Sequence, residues 1–207
     1  MKSAALAALS LLAGASCLVA PGARAEKADR AQPTVIVADH QTVDDLKQIS
    51  VFTGHVVLTK GTIRITGERM EYREDPEGYQ YAVVTAAPES LATFHERRDP
   101  THPGIEETID GVAERIEYDN KADMVRLFTR AIVRRFENGR SRDEFSGDKI
   151  FYDARNSHYD LTAGGSSPNP RVTARIGPRL GDAPAKEEPP KPAEAPKSAE
   201  PGGGASK

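Results

Sequence analysis

The sequence predicts an all-β protein built from repeated antiparallel hairpins, and three observations carry that prediction. Short runs rich in Val, Ile, Thr, Tyr and Phe fill residues 33–177 and are separated by turn residues. One phrase, small-acidic-basic-apolar-x-Tyr, occurs three times: Gly67 to Arg73, Ala113 to Asp119 and Gly147 to Asp153. Its members Met70/Tyr72, Ile116/Tyr118 and Ile150/Tyr152 lie two apart, so each pair shares one face of a strand. Helical periodicity is confined to a turn or two, with Val43–Gln48 as the candidate. Repetition in a fixed order points to stacked copies of one supersecondary unit, here a hairpin.

The strands predicted in order are Thr34–Ala38, Ile49–Lys60, Thr62–Thr66, Arg69–Arg73, Tyr79–Thr85, Ser90–Glu96, Val112–Tyr118, Met124–Phe136, Glu144–Asp153, His158–Thr162 and Arg171–Ile176. Lys60-Gly61, Asp75-Pro76-Glu77-Gly78, Asp119-Asn120, Glu137-Asn138-Gly139 and Asn156-Ser157 supply the turns. Asn138-Gly139 is the sharpest of these, because both central positions of a type I′ turn need positive φ. A second phrase recurs as well: Phe52-Thr53-Gly54-His55-Val56-Val57 is echoed by Phe128-Thr129-Arg130-Ala131-Ile132-Val133. Phe52, Val56 and Leu58 share one parity, and Ile63 and Ile65 share the other after the Gly61 turn. Met70 and Tyr72 then require a slip near Gly67, as a β-bulge would give. Arg64, Arg69, Glu71 and Arg73 fall on the opposite, solvated face. A long antiparallel sheet with one apolar face folds that face against itself, as a sandwich, roll or barrel.

Residues 1–25 read as an export signal: Lys2, an apolar run from Ala4 to Val19, the break at Pro21-Gly22 and the small-x-small site Ala23-Arg24-Ala25. The run is too short and Ala-rich for a membrane-spanning helix, which needs about 20 strongly apolar residues. Gly14-Ala15-Ser16-Cys17 is an alternative, lipoprotein-type box, with Gly in place of the expected Leu. Cleavage after Ala25 leaves a chain without cysteine, which removes disulfides, thiolate catalysis and Cys metal sites. It also takes the formal charge from −3 to −5, since the leader carries Lys2 and Arg24 and no carboxylate. That balance gives no electrostatic case for nucleic acid. Residues 26–32 read as a flexible lead-in and 33–177 as one domain. Residues 178–207 are rich in Pro, Ala, Lys and Glu, with nothing apolar beyond Leu180 to offset ordering entropy, and read as a disordered tail.

Catalytic signals are weak. Ser146-Gly147-Asp148-Lys149 fits S-x-x-K, but lacks the partner motifs and lies on a repeat strand. His40, His55, His95, His102 and His158 are scattered without metal-site spacing, although His95-Glu96 and His102 flank one loop. Glu68/Glu71 and Glu114/Glu117 are paired carboxylates interleaved with Arg, as on a solvated strand face. Gly164-Gly165 reads as a turn rather than a phosphate loop. The residues therefore predict no enzyme, no cofactor and no metal.

From Ile49 to Tyr72, with its core Val-Phe-Thr-Gly-His-Val-Val-Leu-Thr-Lys-Gly-Thr-Ile-Arg-Ile, the chain resembles the OstA-like family of periplasmic lipopolysaccharide-transport domains of the LptA type. Ala92-Thr93-Phe94, Ile116-Glu117-Tyr118, Ser146 to Ile150 and Arg171-Val172-Thr173 extend the resemblance through the domain in the family's order. The insert around Arg97–Gly104 and the long Pro-rich tail depart from it. The resemblance implies a twisted β-jelly-roll, open along one side, whose interior cradles the acyl chains of lipopolysaccharide. By matching position that interior includes Thr34, Ile36, Phe52, Val56, Leu58, Ile63, Ile65, Met70, Tyr72, Phe94, Ile116, Tyr118, Ile150 and Tyr152. It also implies a periplasmic location, head-to-tail stacking of copies into a bridge between the membranes, and inner- and outer-membrane partners with the same type of domain. The first and last strands are the natural edges, with Val35, Val37, Val172, Thr173, Ala174 and Ile176 along them.

An apolar strand face is ordinarily plain core. A conduit for several acyl chains, at about 0.8 kcal/mol per methylene removed from water, demands a continuous apolar face of this kind. The reading is a lipopolysaccharide carrier. The alternative is a periplasmic assembly module of the same fold that acts through sheet edges without lipid; a carbohydrate-active jelly roll lacks Trp and an acid/base pair.

Overall fold

The computed structural model describes residues 28–99, 102–164 and 170–178. The expected leader, Glu26-Lys27 and the tail beyond Pro178 lie outside the described residues. The strands are β1 (Thr34–Val37), β2 (His40–Asp44), β3 (Ile49–Lys60), β4 (Ile63–Glu74), β5 (Gln80–Thr85), β6 (Ala92–Arg98), β7 (Glu107–Ala113), β8 (Arg115–Asp119), β9 (Met124–Glu137), β10 (Arg140–Asp153), β11 (His158–Thr162) and β12 (Thr173–Ile176). Every pairing is antiparallel.

The long strands β3, β4, β9 and β10 each serve two sheets. One sheet runs β2, β3 (49–53), β4 (69–74), β5, β8, β9 (124–128), β10 (149–153), β11. The other runs β1, β3 (57–60), β4 (63–66), β6, β7, β9 (132–137), β10 (140–147), β12. The second repeated phrase is the corner between them. Gly54 and His55 have φ of 78° and 49°, and Thr129 and Arg130 have 62° and 53°. At each place one extra residue opposes the partner strand, shifting the register between Thr53 and Val56 and between Gly147 and Lys149. Such bulges sharpen local twist and bend, so the two halves of each long strand face one another across one apolar interior. The first repeated phrase marks β4, β8 and β10 within the first sheet.

Met70, Ile116 and Ile150 are fully buried beneath these strands, with Leu58, Ile65, Val84, Ile109, Leu127 and Val133 filling the space between sheets. Asn138 and Gly139 hold φ of 49° and 74°, as the hairpin signal requires. The slip in β4 falls where the sequence places it, between the inward Ile65 and the inward Met70. Gly67 permits it, because a Cβ there would collide with Val84.

Three elements differ from expectation. Val43–Gln48 is not helical: Val43 and Asp44 end β2, held by pairing with Ile49 and Ser50 of β3, and a turn follows. Thr62–Thr66 and Arg69–Arg73 are one strand, since the Gly67 slip bends β4 without breaking it. Residues 107–111, which fall between the predicted strands Ser90–Glu96 and Val112–Tyr118, form most of β7, and the predicted Val112–Tyr118 divides at Glu114 between β7 and β8. The strand alternates Glu107, Ile109, Gly111 and Ala113 inward, and Gly111 is small because Leu127 Cδ2 lies 2.9 Å from where its Cβ would be.

Gly67→Ala is expected to destabilise the fold by about 1–3 kcal/mol, the usual range for overpacking a tight core. The check is the urea midpoint of the variant against wild type at unchanged m-value.

Candidate functional site

The interior begins as an apolar stripe and ends in charge. Along the corner side and through the middle it is lined by aliphatic and aromatic side chains. Phe52, Val56, Leu58, Ile63, Ile65, Met70, Phe94, Ile116, Tyr118, Ile150 and Tyr152 are all buried between the sheets, at 8% exposure or less. Ile36 and Tyr72 are half-buried and pack against this cluster, and Thr34 is half-buried on β1. The predicted interior residues therefore converge on one space. A gap of about 20 Å³ lies within it, lined in part by Ile63, Phe94, Tyr118 and Val125. That holds about one water molecule; acyl chains need the sheets to part.

Along the margin opposite the corners, the inward positions become polar. Glu96 and Arg98 follow Ala92 and Phe94 in phase on β6, and Arg135 and Glu137 follow Val133 on β9. Arg98 Nη2 donates to the Ala154 carbonyl at 3.2 Å and to Ser157 Oγ at 2.9 Å, and the guanidinium lies 5.5 Å from the centre of the Tyr152 ring. Arg142 Nη1 donates to Glu137 Oε1 at 2.5 Å, and Arg135 Nε lies 3.4 Å from Asp143 Oδ2. Buried charges of this kind need partners, because desolvation is costly otherwise. Tyr159 stacks on Tyr152 at 4.9 Å and tilts against Phe145 at 5.2 Å, closing the apolar region beside the charged cluster.

This margin is joined differently from the corners. Among the described residues no strand pairing crosses it. The sheets are bridged there by side chains: Thr34 Oγ1 donates to Gln80 Oε1 at 2.6 Å, Arg98 reaches Ala154 and Ser157, and Arg30 pairs with Asp123. Lys60, Glu96, Arg98, Glu107, Glu137 and Asp143, all buried, did not figure among the sequence-derived interior residues. Strict alternation from their apolar neighbours was the signal available for them.

The candidate edge residues separate into two kinds. Val35, Val37, Val172 and Ile176 are 54%, 62%, 44% and 72% exposed, and Thr173 and Ala174 are exposed as well. Val35 and Val37 sit on the outer face of β1, paired with Thr59 and Val57, whereas Thr34 and Ile36 turn inward opposite Lys60 and Leu58. On β12, Ala174 and Ile176 are in register with Phe145 and Asp143, so they stand on the inward side with nothing over them. Val172 precedes β12 and lies 3.4 Å from where a Cβ on Gly147 would be. Of the histidines, His55 and His95 are held by Asp39 at 2.8 Å and Asp110 at 2.5 Å. Hydrogen bonding to Asp39 raises the His55 pKa above its ordinary value.

The burial has a titration signature. Desolvation pushes the phenols of Tyr118 and Tyr159 up from an ordinary 10.0 to about 12, and desolvation followed by the Glu74 carboxylate raises Tyr72 further. The folded chain thus holds these protons more tightly than the unfolded chain. Stability is intact below the unfolded value of 10.0 and drains away as pH rises through about 12. Denaturant midpoints are expected to fall across that window while phenolate absorbance lags behind that of free tyrosine. A flat midpoint through the same range would contradict the buried placement.

With this geometry in hand, comparison with known proteins identifies relatives. Residues 35–158 match the family described as LptA/(LptD N-terminal domain) LPS transport protein. The lipopolysaccharide export system protein LptA of Escherichia coli K12 is 30% identical over 145 residues, covering 70% of this chain and 72% of that protein. The Haemophilus influenzae protein of the same name is 28% identical over 161 residues, covering 78% of this chain and 86% of the relative. The crystal structure of LptH from Pseudomonas aeruginosa, described as the LptA-homologous periplasmic component of a lipopolysaccharide transport device, superposes with a TM-score of 0.60 at 25% identity, over 72% of this chain and 99% of that one. The chain belongs to the LptA/(LptD N-terminal domain) family of LPS transport proteins.

Proposed function

We propose that this protein is a periplasmic lipopolysaccharide carrier, a non-enzymatic component of lipopolysaccharide export that holds the acyl chains between its two sheets. The observation that carries the reading is the continuous apolar interior running under both sheets from β1 to β11, with a margin that no strand pairing seals among the described residues. Membership in a family whose relatives are named for lipopolysaccharide export supports the cargo. The proposed lipid-contacting residues are the inward set from Thr34 and Ile36 through Phe94 and Tyr118 to Ile150 and Tyr152. Each copy then passes cargo to the next through a head-to-tail bridge, with partners at both membranes carrying the same type of domain. The exposed apolar residues of β1 and β12 support that assembly, because unpaired edge strands template further pairing.

A photo-crosslinker at Ile36, Phe94 or Tyr118 is expected to capture lipopolysaccharide from purified lipid, and one at Arg69 or Glu71 to capture none. Phe94→Asp buries a carboxylate in the apolar stripe and should reduce capture more than ten-fold, since about 1.4 kcal/mol of desolvation already suffices. Equal capture from both faces would defeat the interior reading, and would leave an assembly module acting through its edges.

The edge contact has its own check. A heterologous contact that does not close gives open filaments rather than a fixed dimer. Light scattering of wild type should therefore rise with concentration. Ala174→Pro, which removes a donor on an edge strand whose residues are all exposed, should abolish that rise while leaving the melting temperature of the monomer nearly unchanged.

A further inference from the structure

The interior that a carrier needs is shut, and a short segment lies across its mouth. Residues 28–32 precede β1 and pack over the charged margin. Asp29 is 3% exposed. Its carboxylate accepts from the Thr62 backbone N–H at 2.9 Å and from the Thr62 hydroxyl. Gly61, at φ of 58°, makes room for it, because a Cβ there would collide with the same carboxylate. The Gln32 carbonyl accepts from Lys60 Nζ at 2.7 Å. These contacts hold the segment to the β3–β4 hairpin of one sheet. Arg30 then reaches the other sheet and pairs with Asp123, whose Oδ2 also takes Arg155 Nε at 3.1 Å. Beneath the segment sits the gap of about 20 Å³, with Asp29 and Arg30 on its polar side and Ile63, Phe94, Tyr118 and Val125 on its apolar side.

We propose that residues 28–32 are a detachable strap over the admission site for a phosphorylated, acylated amphiphile. The inference rests on the carrier reading and adds where the cargo enters and what holds the door. Three features argue for detachment. The strap belongs to neither sheet's ladder, since β1 begins at Thr34. Its hold on each sheet is made through side chains that water can resolvate once it lifts. Cleavage after Ala25 would place it beside a free chain end. The floor it uncovers is apolar and suits an acyl chain. The rim suits a phosphate: Arg30 and Arg155 share one oxygen of one carboxylate, and a phosphate ester offers several acceptor oxygens to the same two guanidinium forks. Binding of the phosphate in place of Asp123 breaks the Arg30–Asp123 pair that ties the strap to the other sheet and leaves Arg30 on the mobile lipid head instead of a fixed carboxylate, so the strap moves with the head as its chains enter.

The test pins the strap reversibly. The processed chain carries no cysteine of its own, so Asp29→Cys with Thr62→Cys places the one available pair where the two side chains now meet. Loading of fluorescent bis-phosphorylated lipid A from micelles is followed for the oxidised and reduced forms of that single chain, with wild type alongside. The oxidised form should load at least about ten-fold more slowly, a barrier increase of about 1.4 kcal/mol, and reductant should restore the rate. Because both forms are one chain, a folding defect would depress both. Equal rates would overturn the strap. In a second arm, Arg30→Ala should speed loading of dephosphorylated lipid A several-fold and erase the advantage of the bis-phosphorylated form. A variant that leaves that advantage intact would overturn the phosphate assignment. Inorganic phosphate alone should leave the loading rate unchanged; if it accelerates loading, the rim reads a free anion and not a lipid head. A wild type that takes up no lipid A in either form would overturn the carrier reading itself, which separates that failure from failure of the strap.

Discussion

The architecture depends on two corners. At Gly54-His55 and Thr129-Arg130 the backbone enters the left-handed region, an extra residue is accommodated, and a long strand leaves one sheet for the other. Outside glycine this conformation is uncommon and carries strain. It is held here by what the bend permits: each long strand keeps its ladder on both sides of the corner and folds its apolar face back on itself. Without the corners, a long sheet of this composition would carry one exposed greasy face. With them, the described residues obtain a core from a single sheet wrapped over itself.

The wrapped sheet gives two unequal sides. On the corner side the connection is covalent and laddered; on the opposite margin it is a set of side-chain contacts from Thr34, Arg30 and Arg98. Parting the margin therefore exchanges a few polar contacts for water, which is close to neutral for each bond, and leaves every strand pairing in place. The larger cost is separating two apolar surfaces whose facing side chains are buried against each other. An acyl chain offsets that cost, because each buried methylene returns about 0.8 kcal/mol to surfaces that would otherwise be wetted. One set of side chains can thus act as core when empty and as lining when loaded. This is why burial of these residues and a role in carrying lipid are compatible.

Much of this was legible in residue order. The three small-acidic-basic-apolar-x-Tyr phrases sit on alternate strands of one sheet, β4, β8 and β10, and their apolar members point inward because period-two alternation allows nothing else. The parity slip at Gly67 was readable for the same reason. The corners were visible only as a repeat, since Thr129-Arg130 carries no glycine and its φ values come from tertiary context. The polar margin was hidden by composition. Glu96, Arg98, Glu107 and Glu137 look like surface residues one by one, and only alternation from Phe94, Ile109 and Val133 places them inside. β7 was missed because only Ile109 among the inward residues of 107–111 is a large apolar side chain, Glu107 being charged and Gly111 small to admit Leu127. Residues 26–32 read as a flexible lead-in, whereas 28–32 are docked. The docking of Asp29 depends on the gap at Gly61, a long-range fit that no local pattern encodes.

The two ends of the wrapped sheet differ in a way that bears on how copies would join. β1 turns Thr34 and Ile36 inward and leaves Val35 and Val37 outside, whereas β12 holds Ala174 and Ile176 on the inward side, uncovered. Strand addition keeps cross-strand neighbours on the same face. On the carrier reading, a second copy placing β1 against β12 sets Thr34 and Ile36 beside Ala174 and Ile176, and the apolar stripe passes from one interior into the next. The reverse pairing, β1 on β1 or β12 on β12, joins like ends and leaves each copy's other end out of line. In such a joint direction would follow from register: the inward alternation that fills each interior would also determine which end of the next copy continues it, with the outward Val35 and Val37 on the solvent side.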